Sequence, residues 1–290
     1  MFNGALTALV TPFRDGEVDA PALRDLIEWQ IQSGIDGLVP CGSTGESATL
    51  THAEHDSVIK ITIEQARKRV PVIAGTGSNS TAEAIRLTAA AREMGADAAL
   101  MLSPYYNKPT QDGIFRHYKT IATTVDLPIF VYNIPGRTAS NILPETVARL
   151  AEIKNIVGIK EASGSMDQSS DILKMCGDRI AVLSGDDALT LPVVALGGKG
   201  VISTCSNIVP REMHDLAAAA LAGDFAKARE IHYRLLSLIR SLFVETNPIP
   251  IKQALAFMGK CANELRMPLV PMTAGPADKL RIAMKELRLA

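Results

Sequence analysis

Residues 82–103, AEAIRLTAAAREMGADAALMLS, hold one complete repeat of the fold. Residues 82–94 set apolar side chains at the 3.6-residue spacing of a helix with one face turned inward. Gly95 follows, a residue that readily takes the left-handed backbone conformation that ends a helix. Residues 98–103 are then apolar up to the final serine, as a strand is when both of its faces are covered. A helix, a glycine stop and a doubly covered strand make one turn of a parallel sheet wound with helices.

The same unit recurs on both sides. Residues 20–33 form a second amphipathic helix, stopped by Gly34. Strands are expected at 5–10, 37–41, 72–75, 98–103, 129–132, 156–160, 181–184 and 200–203, with residues 1–13 read as an alternating first strand segment. Eight strands, each followed by a helix, predict an α/β chain of the (β/α)₈ TIM-barrel type. An open doubly wound sheet usually stops at fewer strands and often carries a Gly-rich dinucleotide fingerprint. Gly75-Thr76-Gly77 lacks the third glycine of that fingerprint, and GSTGE at 42–46 lacks the lysine of a phosphate-binding loop.

Past the eighth strand the pattern is wholly helical, at 210–222, 225–243, 249–259 and 276–287. Breaks fall at Asn247-Pro248 and between Pro268 and Pro271. One helix closes the barrel and the others predict a C-terminal helical extension, so the expected division is a catalytic barrel over 1–223 and a helical bundle over 224–290. The chain has 290 residues, a little more than the roughly 250 of a bare barrel.

With 47% hydrophobic and 21% charged residues, the composition is that of a globular chain with a large core. A net charge of −1 with mixed signs argues against nucleic-acid and lipid partners. The N-terminus lacks the pattern of a signal peptide, and no apolar stretch approaches the roughly 18 residues of a membrane span. Cys41, Cys176, Cys205 and Cys261 are scattered without a C-x-x-C pair, which suits a reducing cytoplasm and speaks against zinc.

In such a barrel the reactive residues stand where strands end, because the loops there converge on one mouth. Lys160 closes the apolar run 156–159. Desolvation there favours the neutral amine, the form that attacks a carbonyl, and the competing reading is a lysine that snorkels to solvent or pairs with Glu161. Tyr132 ends the preceding strand and supplies a phenol for proton transfer, or else a core tyrosine with a satisfied hydroxyl. The 42–46 loop offers the Ser43 and Thr44 hydroxyls and backbone N–H groups to a small carboxylate, or is an ordinary turn. Arg137 is placed to grip a second carboxylate, unless it is a solvated surface arginine.

His52 and His55 lie three apart at a helix start and can face the same way. His52-Ala53-Glu54-His55 matches no zinc-helix motif, so no metal is expected. His117, His214 and His232 read as structural or exposed. Cys41 reads as small core filler.

Together these residues resemble the dihydrodipicolinate synthase and N-acetylneuraminate lyase family of class I, Schiff-base aldolases. The resemblance spans the chain and rests on GSTGE at 42–46, YNIP at 132–135, GIKE at 158–161 and LSGDD at 183–187, in that order and at those strand ends. Arg137 after YNIP, PYYNKP at 104–109 and FVETNPIP at 243–250 resemble the synthase branch. Ser43 departs from it, since that branch usually has threonine there.

The resemblance implies a lyase that needs no cofactor beyond a lysine imine. Pyruvate would bind covalently to Lys160, with Thr44, Gly185 and Ile202 around it and Tyr132, Ser43 and Tyr106 relaying protons, Tyr106 from a neighbouring subunit. Arg137 would hold L-aspartate 4-semialdehyde, and the product would be 4-hydroxy-tetrahydrodipicolinate on the route to diaminopimelate and lysine. The resemblance further implies a homotetramer, a dimer of dimers, with allosteric inhibition by L-lysine at Ser47, Ala48, His52, His55, Asn79, Glu83 and Tyr105. The alternatives are a sialate or 2-keto-3-deoxy sugar acid lyase, which Arg137 opposes, and a non-catalytic sensor of keto acids or amino acids.

Overall fold

A computed structural model describes residues 2–289. Eight parallel strands form the barrel: β1 (Gly4–Ala8), β2 (Gly37–Val39), β3 (Ile73–Gly75), β4 (Ala98–Leu102), β5 (Ile129–Asn133), β6 (Ile156–Glu161), β7 (Ala181–Ser184) and β8 (Gly200–Ser203). Their order is β2-β1-β8-β7-β6-β5-β4-β3, and a parallel bridge between Leu38 and Val72 brings the two ends of the sheet together.

Alternation along the strands sorts the side chains into two layers. Leu6, Ile73, Leu100, Phe130, Leu183 and Ile202 fill the barrel interior. Their neighbours Ala5, Ala74, Met101, Val131, Val182 and Val201 point outward into the larger core beneath the helices. The interior leaves little spare room. Phe130 pairs with Gly158, where a Cβ would come within 2.1 Å of the phenyl ring, so only glycine admits the ring. Truncating the fully buried Phe130 to alanine would cost about 3–5 kcal/mol.

The helices follow the sequence pattern closely. They are α1 (Ala20–Gln32), α2 (His52–Ala66), α3 (Thr81–Met94), α4 (Gln111–Thr124), the single turn α5 (Pro135–Thr138), α6 (Pro144–Leu150), α7 (Met166–Cys176), α8 (Thr190–Ala195), α9 (Pro210–Leu221), α10 (Phe225–Ser241), α11 (Ile249–Phe257) and α12 (Ala274–Glu286). α3 shows why the repeat is legible: Ser80 caps its first turn by accepting from the Glu83 N–H, and Gly95 ends it at φ 91°. α2 begins with a full capping box between Thr51 and Glu54.

The N-terminal reading is corrected at one point. Every residue of β1 is buried, including Thr7, whose hydroxyl donates to Gln30 Oε1 at 2.6 Å, so the polar positions do not face water. Beyond it, Phe13–Arg14 pairs antiparallel with Glu17–Val18 in a small hairpin that the alternation did not reveal. At the other end, α9 packs on β1, α8 and α10, and buried residues of α10, α11 and α12 join the same core as the barrel helices. Among the described residues, no helix is long and apolar enough to cross a membrane.

Candidate active site

Register brings the first two candidates together: Tyr132 on β5 pairs with Lys160 on β6. Because Val131 and Ile159 point outward, their successors point into the barrel, and both are more than nine-tenths buried. The Lys160 Nζ lies 4.3 Å from the centroid of the Tyr132 ring. Glu161 falls on the opposite face. Its carboxylate accepts from Asn133 Nδ2 at 3.0 Å, Gln168 Nε2 at 3.2 Å and the Ser163 N–H at 2.7 Å. Strand alternation therefore decides against a Lys160–Glu161 pair.

Burial pulls the Lys160 pKa down from 10.5 to about 8, with Asp187 opposing the shift and Arg137 adding to it. A useful fraction of neutral amine is thus present near neutral pH. Burial pushes Tyr132 up to about 12, against the pull of Arg137 and the Ser43 hydroxyl, so the phenol keeps its proton. Asp187 is also buried, and its Oδ2 accepts the Thr204 and Cys205 N–H groups at 3.1 and 3.0 Å. Gly185 lies beside the lysine stem: a Cβ there would stand 3.1 Å from Lys160 Cε and Cγ and 2.5 Å from Ala162 Cβ.

The loop after β2 is a tight turn in which Gly45 N–H donates to Gly42 O at 3.0 Å and Glu46 N–H to Ser43 O at 3.2 Å. Among the described residues, the Ser43 and Thr44 N–H groups have no backbone partner. Two backbone donors side by side, on the half-buried Ser43 and the buried Thr44, suit an anion. Asn247 braces this side of the mouth, donating from Nδ2 to Thr44 Oγ1 at 3.0 Å and accepting at its carbonyl from Arg137 at 2.8 Å.

Two cavities meet here. The smaller, about 50 Å³, has Lys160, Gly185, Thr44 and Thr204 in its wall. The larger, about 460 Å³, continues outward past His52, Glu83 and Tyr105. Ser43, Tyr132, Arg137 and Asn247 line both. Ile202 lies fully buried in the barrel interior, and Tyr106 is 89% exposed and lines neither cavity.

Six of the seven positions associated with lysine line the larger cavity: Ser47, Ala48, His52, His55, Glu83 and Tyr105. Asn79 lies just outside it, donating to the Tyr105 carbonyl at 3.2 Å. His52 and His55 differ in their settings. His52 is exposed and meets Glu83 at 3.0 Å, whereas His55 is buried with Nε2 2.9 Å from the Gly75 carbonyl. Burial pulls the His55 pKa down. Cys41 is buried, and its Sγ lies 3.6 Å from the His55 carbonyl oxygen rather than from the ring. His117 pairs with Thr81, and His214 with Asp36, each at 2.9 Å. Among the described residues no three of His, Cys, Asp and Glu cluster as metal ligands would.

Sequence reasoning quoted Asn247 and Asp187 within motifs without giving either a role, and it missed a buried partner of Glu46, Lys252. Asn247 stood out only as a helix break before proline and as part of FVETNPIP. Its partners lie 110 and 203 residues away, so no local pattern announces the contacts.

The chain matches the model of the Dihydrodipicolinate synthetase family over residues 1–287. It is 60% identical to 4-hydroxy-tetrahydrodipicolinate synthase of Syntrophus aciditrophicus over 100% of this chain and 99% of that one. Among solved structures it is similar to the Acinetobacter baumannii dihydrodipicolinate synthase complexed with pyruvate, with TM-score 0.99, 45% identity and complete coverage of both chains. It is also similar to the enzyme of Cyanidioschyzon merolae with lysine bound, with TM-score 0.97 and 42% identity over 100% of this chain and 99% of that one. With fold, strand-end residues and full-length similarity in agreement, the chain belongs to the dihydrodipicolinate synthetase family.

Proposed function

We infer that this chain is a lyase that condenses pyruvate with L-aspartate 4-semialdehyde to give 4-hydroxy-tetrahydrodipicolinate, in the biosynthesis of diaminopimelate and lysine. The observation that carries the reading is the buried Lys160, its pKa pulled down to about 8, set against a protonated Tyr132. Lys160 Nζ attacks the ketone carbon of pyruvate and water leaves, giving the imine. Loss of a methyl proton gives the enamine, whose carbon adds to the aldehyde. The amine of the second substrate then displaces Lys160 as the ring closes.

In this reading Ser43 and Thr44 hold the pyruvate carboxylate, and Gly185 and Ile202 offer backbone contacts near the imine. Arg137 holds the carboxylate of the semialdehyde. Tyr132 and Ser43 pass protons, joined by Tyr106 from a neighbouring copy, for which the exposure of Tyr106 is suited. The imine serves as the electron sink, so the chemistry calls for no cofactor. A homotetramer in the cytoplasm fits the family and the four unpaired cysteines. L-lysine as feedback inhibitor is supported by the carboxylate of Glu83 in a cavity with His52 and Tyr105.

Borohydride reduction with pyruvate, followed by peptide mapping, tests the first step: the adduct is expected on Lys160. Its absence favours the sensor reading. Turnover of N-acetylmannosamine but not aspartate semialdehyde with pyruvate would assign a sugar-acid lyase instead.

A further inference from the structure

Glu46 stands two residues beyond the Thr44 N–H, with its carboxylate buried in the protein. Lys252 of α11 meets it at 2.5 Å, and the two side chains are 1% and 0% exposed. Both ends of the pair are held. Lys252 Nζ also donates to the Glu264 carbonyl at 2.8 Å and lies 4.0 Å over the Phe13 ring, while Glu46 Oε2 accepts the Arg266 N–H at 3.1 Å. Glu46 has φ 53°, a left-handed conformation uncommon for a residue with a Cβ, and its own N–H closes the turn on Ser43. A buried ion pair is a poor route to stability compared with apolar packing. Its value here lies in geometry and charge at a loop that presents N–H groups to an anion.

We propose that the Glu46–Lys252 pair positions the keto-acid carboxylate site. It anchors the left-handed residue that closes the turn, so that the Ser43 and Thr44 N–H groups share one direction. It also cancels the negative charge that Glu46 would otherwise set beside a bound carboxylate. Both residues act through the loop, and neither takes part in bond making. The inference rests on the reading of this site as one that binds pyruvate.

The test is the pyruvate concentration that half-saturates borohydride trapping, measured beside the steady-state KM of each substrate. Lys252→Met leaves Glu46 uncompensated and is expected to raise the pyruvate value about tenfold, with the KM for aspartate semialdehyde within about twofold. The double variant Glu46→Gln, Lys252→Met removes both charges and is expected to raise it about threefold, since only the tether is lost. It also supplies the reading should the single variant not fold. A lowered melting temperature with the parent's half-saturation in the folded variant overturns the proposal and leaves a purely structural pair. If the parent chain itself gives no adduct, the pyruvate reading falls and this inference falls with it.

Discussion

Lys160 and Tyr132 are register partners on adjacent strands, both turned into the barrel, with the ammonium nitrogen 4.3 Å from the ring centroid. The lysine is thereby kept out of water, next to a phenol that burial keeps protonated. A nucleophile and a proton carrier stand together, and among the described residues no ion pair neutralises the nucleophile.

The pH dependence follows from the depressed lysine. The rate of imine trapping is expected to rise with pH and level off above about 8, as the neutral amine becomes the main form. Stability follows the same group. Below about 8, folded and unfolded chains both carry the proton, and the fold bears the full cost of a buried charge. Between about 8 and 10.5 only the unfolded chain stays protonated, so stability rises with pH. Lys160→Met is therefore expected to stabilise the fold by about 1–3 kcal/mol at neutral pH and to abolish the pyruvate adduct. Melting curves at pH about 7 and about 10 check this; a stability gap that widens with pH contradicts it.

Gly185→Ala is expected to lower kcat by on the order of a hundredfold, because the added methyl group must displace the Lys160 stem or Ala162. Steady-state kinetics and the trapping rate should fall together. A variant with the parent's kcat would show that the neighbouring backbone yields without moving the amine.

Arg137→Lys keeps the charge but loses the planar fork, and with it the geometry toward a carboxylate and toward the Asn247 carbonyl. The KM for aspartate semialdehyde is expected to rise about 10- to 100-fold, while pyruvate trapping stays close to the parent. An equal effect on both substrates would place Arg137 at the pyruvate site instead.

Ser43→Thr adds a methyl group that restricts the hydroxyl to fewer rotamers. The expected result is a kcat about two- to threefold higher with little change in the trapping of pyruvate, since better aim at the Tyr132 oxygen helps proton transfer more than binding. A fall in kcat would show that the cavity shared by Ser43 and Tyr132 lacks room for the methyl group.

Glu83→Gln tests lysine control. Glu83 is gripped by Ser78 and His52, and these hydrogen bonds, that of Ser78 foremost, hold its pKa below the usual carboxylate range. Loss of its charge is expected to raise the L-lysine concentration for half-inhibition about tenfold in initial-rate assays. Unchanged inhibition would move the lysine amine away from Glu83.

Much of this was legible from local pattern. The strand predicted at 181–184 and that at 200–203 match the observed bounds, five others differ by one or two residues at one end, and the first differs at both ends. Such agreement comes from strands covered on both faces and helices stopped by glycines such as Gly95, features that act over a few residues. Lys160 and Tyr132 were legible because a strand end is a local feature and the barrel places all eight such ends at one mouth. The hairpin at Phe13–Val18 was not legible, since its two-residue strands are too short to carry a period.

By itself, then, the sequence determined the order of elements, the barrel and the residues at the mouth. It left open whether Lys160 paired with Glu161, and strand alternation resolved that by sending the two to opposite faces. It was silent on Asn247 bracing Thr44 and Arg137, and on Lys252 neutralising Glu46. Those contacts join residues more than a hundred positions apart. Such pairs meet only when the closed barrel and the helices beyond it bring them together, so no run of neighbouring residues encodes them.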